Sequence, residues 1–121
     1  MTTWITICDT CKRDEWTPGT AATDGEALAA RVEAAAGDAP VATRRISCLM
    51  GCKGACNVTI QATGKIGYTL GAFEASEAAA RGIVDYAALH ARSETGQVPY
   101  KLWPQAIKGH FVTRHFPPPE E

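Results

Sequence analysis

The sequence contains no apolar run near the roughly 20 residues that a membrane helix needs, and no block of like charge beyond a few residues. Twelve Lys and Arg against thirteen Asp and Glu leave a formal net charge of −1. A basic surface able to track phosphates is therefore missing, which argues against a nucleic-acid partner. Met1 to Cys8 has neither the basic start nor the apolar stretch of a signal peptide, so the expected location is cytoplasmic. The glycines form no dinucleotide or phosphate-loop fingerprint, and neither a Ser-His-Asp order nor a carboxylate pair stands out. No catalytic residue is assigned, and an enzyme is not expected.

Cysteine is what the chain does have. Its five cysteines, an odd number, cannot all pair within one chain, and clustered thiols in a reducing compartment more often bind metal or do redox chemistry than form structural disulfides. They fall in two groups, Cys8-x2-Cys11 and Cys48-x3-Cys52-x3-Cys56, with 36 residues between.

The surrounding pattern is α/β. Thr3 to Ile7 reads as a strand delivering Cys8, and Asp9 to Thr23, with Pro18-Gly19, reads as a long exposed loop. Thr23 and Glu26 have the spacing of a capping box that opens a helix ending before Gly37, with Leu28, Val32 and Ala35 as its apolar stripe. Val41 to Ser47 is a second strand leading to Cys48. Val58, Ile60 and Ala62, then Ile66, Tyr68 and Leu70, alternate about a turn at Thr63-Gly64 and form a hairpin. Glu74 to Arg92 is a second helix with Ala79, Ile83, Tyr86 or Ala87, and His90 at helical spacing. Beyond it, Pro104 suits the first turn of a short helix before extended sequence and Pro117-Pro118-Pro119. The order β-α-β-β-β-α predicts a thioredoxin-like mixed sheet flanked by helices. Residues 1–95 would be a metal-binding domain, and 96–121 an extension packed on it through Trp103 and Phe111.

In a parallel crossover the two strand ends lie side by side, so the loop of Cys8 and Cys11 can meet that of Cys48 and Cys52. Thiolates are soft ligands that suit iron–sulfur clusters and zinc. Gly51 and Gly54 suit a tight loop whose amides face sulfur. Zinc usually takes two Cys-x2-Cys knuckles, whereas the second group here is x3-spaced with three members; this favours a cluster and leaves a zinc or cobalt module as the alternative. A thiol–disulfide oxidoreductase would use only Cys8 and Cys11. Cys52 with Cys56 repeats the spacing of Cys48 with Cys52, so Cys56 is an alternative ligand. Lys12, Arg13 and Lys53 adjoin the cysteines, either solvated or compensating an anionic centre and docking an acidic partner. His90, His110 and His115 are read as satisfied or surface residues, and Trp4, Trp16 and Trp103 as core or interface anchors.

Cys48-Leu49-Met50-Gly51-Cys52, placed after the crossover strand, resembles the Cys-Leu-Gly-x-Cys motif of thioredoxin-like [2Fe-2S] ferredoxins. The double motif together with Leu102-Trp103-Pro104 is still closer to the DUF1636 family of predicted metal-binding proteins, often associated with cobalamin and cobalt metabolism. The ferredoxin resemblance implies a [2Fe-2S] cluster with Cys8 and Cys11 on one iron and Cys48 and Cys52 on the other. It also implies electron transfer with a reductase or acceptor enzyme, and a homodimer as one arrangement. The chain departs from that pattern in its closer first pair and its extra Cys56.

Overall fold

Alternation in Thr3–Cys8 builds a strand that takes neighbours on both sides. In the computed structural model, whose described residues are 2–9, 23–37, 39–46 and 56–116, this segment is β1 (Thr3–Cys8). It is followed by α1 (Asp24–Ala36), β2 (Val41–Ile46), β3 (Val58–Gln61), β4 (Gly67–Leu70), α2 (Glu77–Arg92) and β5 (Phe111–His115). The strands form one mixed sheet in the order β2-β1-β3-β4-β5. β1 and β2 run parallel, in register from Thr3 with Val41 to Cys8 with Ile46, and the other neighbours are antiparallel.

The register sorts side chains between two faces, since successive strand residues point to opposite sides. Thr3, Ile5 and Ile7 share a face with Val58 and Ile60 and with Tyr68 and Leu70. This face carries the apolar core of the strands. Both helices cover it: α2 meets it through Tyr86 and His90 against Tyr68, and α1 packs beside α2. Trp4, Thr6 and Cys8 lie on the opposite face, where Thr6, Thr59, Thr69 and Thr113 align in one row across four strands. Trp4 is 41% exposed there, with the Arg44 guanidinium 5.8 Å from its ring centre. Of the three tryptophans, Trp103 packs against the core, Trp4 does not, and Trp16 lies outside the described residues.

α1 starts where the capping box places it. The Thr23 hydroxyl accepts from the Glu26 amide at 3.0 Å, and the Glu26 carboxylate accepts from the Thr23 amide at 3.3 Å. Leu28 and Val32 are fully buried and Ala35 packs at the core's margin. On the outer side Glu33 forms a two-pronged pair with Arg45 of β2, at 2.8 and 2.7 Å, which holds the Glu33 carboxyl below the usual carboxylate range.

α2 begins at Glu77, capped by the Ser76 hydroxyl on the Ala79 amide, three residues later than the sequence pattern predicts. The predicted stripe of Ala79, Ile83, Tyr86, Ala87 and His90 is buried. His90 ties the helix to two strands. Its Nε2–H donates to the Ile66 carbonyl at 2.7 Å, which fixes the neutral tautomer and leaves Nδ1 to accept from the Thr3 hydroxyl at 3.0 Å. Gly96, with φ +88, lets the chain cross close over this pair; a Cβ there would sit 2.8 Å from His90 Nε2.

Burial, helped by the nearby Lys65 charge, pushes the His90 pKa down against the Ile66 hydrogen bond that raises it. The unfolded chain then binds this proton more readily than the folded one, so stability falls as pH drops below about 6.5, the ordinary histidine value. Urea unfolding between pH 7.5 and 5 is expected to show the decline, with the His90 ring titrating below an unfolded histidine by NMR. A ring midpoint above the unfolded value reverses the sign.

The extension packs on the core through Trp103 and Phe111, and Pro104 opens a short helical turn, both as expected; the strand that follows is additional. Short 3-10 turns at Tyr100–Leu102 and Gln105–Ile107 each follow a proline, and β5 then adds a fifth strand on β4. The strand was hidden by a bulge. Thr113 pairs with Thr69 and Phe111 with Leu70, which leaves Val112 as the extra residue and breaks the alternation.

Candidate metal centre

Cys8 ends β1 and is 2% exposed. Its amide donates to the Asn57 carbonyl at 3.1 Å, while the next amide, Asp9, donates to the Ile46 carbonyl at 3.0 Å. The end of β1 is therefore clasped between the end of β2 and the entry to β3. In sequence the second cysteine group lies between Ile46 and Asn57, whose carbonyls accept from the Asp9 and Cys8 amides.

The start of α1 closes on the same place. The Thr23 hydroxyl donates to the Asp9 carbonyl, and Gly25 is buried so tightly that a Cβ would collide with the Cys8 carbonyl oxygen and stand 3.0 Å from Asp9 Cα. Glycine in a helix costs about 1 kcal/mol relative to alanine. Here it permits the close approach. The start of α1 thereby abuts the backbone of Cys8 and Asp9. Sequence reading did not single out Gly25, although a glycine one residue inside a capped helix start was the available signal.

The two described cysteines, Cys8 and Cys56, are both buried in the core. Cys8, inside β1, takes the face opposite the helices by alternation. Cys56 is fully buried with Val58 and Ile60, and its amide donates to the Phe73 carbonyl at 3.3 Å. Cys11, Cys48 and Cys52, like Lys12, Arg13 and Lys53, lie outside the described residues. Among the described residues no three of His, Cys, Asp and Glu gather as a metal site. The histidines are engaged elsewhere: His90 as above, His110 Nδ1 with the Gly71 carbonyl at 2.8 Å, and His115 Nε2 with the Thr69 hydroxyl at 2.7 Å. No helix among the described residues is long and apolar enough to cross a membrane.

A family model described as "protein of unknown function (DUF1636)" matches residues 5–118. The match spans both cysteine groups and the extension through β5, and the chain belongs to this family. Comparison with curated proteins gave no match, and neither did comparison with solved structures.

Proposed function

For this member of the DUF1636 family, we propose a small electron-transfer protein in which Cys8, Cys11, Cys48 and Cys52 hold a [2Fe-2S] cluster. The observation that carries the reading is the clasp at Cys8. One end of the sheet gathers the exit of β1, the exit of β2 and the return to β3, so both cysteine groups depart from one place. Covalent reach keeps Cys11 within about 11 Å of Cys8, and Cys48 within about 7 Å of Ile46.

The donor chemistry fits. Four cysteines are the common ligand set of a two-iron cluster, which would supply a one-electron couple whose potential follows hydrogen bonds to sulfur and solvent exposure. The sheet order β2-β1-β3-β4, with both helices on one face, supports the thioredoxin-like reading of the fold. The start of α1 at Gly25 closes on the cysteine end of β1. Partners would be a reductase or acceptor enzyme, in a cytoplasmic setting that extends to cobalamin or cobalt metabolism through the resemblance. A zinc or cobalt module is the competing occupant of the same thiolates.

Anaerobically purified protein is expected to be brown-red, to carry about two irons and two acid-labile sulfides per chain, and to bleach with dithionite. Metal analysis, sulfide assay and visible absorption check it. Colourless protein with one zinc overturns the proposal in favour of the metal module.

A further inference from the structure

A groove of about 610 Å³ lies at the β5 edge of the sheet, between the helix-covered face and the chain that follows α2. Its size is within the range of small-molecule sites, and its walls are apolar with a few convergent polar groups, as such sites usually are. β5 is three strand spacings from β1, or about 14 Å, so the groove is separate from the cysteine end of β1.

The walls are aromatic. Trp103 and Phe111 stack with ring centres 4.4 Å apart, and Tyr68 meets Phe111 edge-on at 5.5 Å. The Trp103 indole N–H donates to the Val98 carbonyl at 2.9 Å, which fixes the ring before any ligand arrives. Gln97 adds a hydrogen-bonding group to the lining.

The bulge in β5 brings a cation to these rings. In a regular strand Phe111 and Arg114, three residues apart, would point to opposite faces. With Val112 as the extra residue, Phe111 pairs with Leu70 and Arg114 with Tyr68, and those partners are two residues apart on one face. Arg114 thus shares the aromatic face. Its guanidinium is 5.1 Å from the Phe116 ring centre, and among the described residues no carboxylate pairs with it. The chain has no Asp or Glu between Glu94 and Glu120, while Lys101, Lys108 and Arg114 fall in that stretch. Of these three cations, Arg114 lines the groove.

We infer that the groove binds a planar aromatic or heteroaromatic molecule carrying one anionic group, its ring against Trp103 and Phe111 and its carboxylate or phosphate on Arg114. Ring and anion are both needed. The walls alone would accept any flat apolar molecule, and Arg114 provides the planar donor fork that suits carboxylate and phosphate oxygens.

The test uses the full chain with two probe pairs that differ in charge, 2-naphthoate against 2-naphthamide and adenosine 5′-monophosphate against adenosine, measured by calorimetry and by NMR shifts of the Trp103 indole. Saturable binding of at least one anion, tenfold or more tighter than its neutral partner and moving the Trp103 signal, is expected. The pair that binds distinguishes a carboxylate ligand from a phosphate one. Arg114 is exposed, so Arg114→Gln should fold normally and abolish the tenfold preference while leaving the neutral probe's affinity unchanged. The inference is overturned if neither anion binds saturably, if charge makes no difference, if Arg114→Gln has no effect, or if the shifts map away from the groove. Because the readout needs no metal, its failure leaves the cluster proposal standing, and the reverse holds too.

Discussion

Serine in place of Cys48 is expected to strip the chain of its iron or shift its visible spectrum, and serine in place of Cys56 to leave both nearly intact. The contrast rests on where each thiol stands. Cys56 is fully buried, two residues before Val58 and on the alternation that Val58 and Ile60 continue toward the helices, where cysteine packs as a small hydrophobe. Cys8 stands on the other face, at the point where the two cysteine-bearing segments leave the sheet. Cys8→Ser, Cys11→Ser and Cys52→Ser should each behave like Cys48→Ser, because a hard alkoxide is a poor substitute for a soft thiolate on iron. Iron and sulfide content of the five purified variants decides it. If Cys56→Ser loses the cluster and Cys48→Ser keeps it, the second ligand pair is Cys52 with Cys56. Cys56→Ser also places a hydroxyl in the core, so its thermal midpoint should be recorded beside its metal content; a colder but still coloured variant fits the assignment.

Local chemistry was the legible part of this fold. The Thr23–Glu26 box is written in two residues three apart, and it sets the helix start observed. The stripe of α2 could be read through His90 because periodicity reports burial whatever the side chain; the sequence could not show that His90 bonds to Thr3, 87 positions away. β5 was hidden for a related reason. Its bulge disrupts the alternation by which strands are recognised, and the pairing that makes it a strand belongs to β4. Of the two roles expected for Trp4, core or interface anchor, alternation leaves it outside the core: Thr3, Ile5 and Ile7 face the helices and Trp4 the outer side. At the site, spacing led to the expectation that the cysteines converge, and Cys11, Cys48 and Cys52 lie outside the described residues. Gly25 left a local signal, a glycine just inside a capped helix start, whereas the Thr23 bond to Asp9 depends on how α1 seats against β1.

Leu28→Ala is expected to destabilise the protein by about 2–5 kcal/mol, the cost of removing a fully buried leucine and leaving a cavity. Leu28 has no exposed surface and sits one turn after the capping box, on the side of α1 that seats the helix on the sheet. Chemical unfolding of the variant measures the loss, with Ala30→Ser on the exposed side of α1 as a control that should change little. The same variant separates seating from ligation. α1 reaches the cysteine end of β1 through Gly25 and Thr23, both held by backbone contacts at Cys8 and Asp9 that a cavity at Leu28 does not remove. The folded fraction of Leu28→Ala should therefore retain its metal while the unfolding midpoint falls. A stability change within error would mean that α1 does not derive its seating from this face, and metal loss from fully folded variant would mean that the helix position itself sets the site.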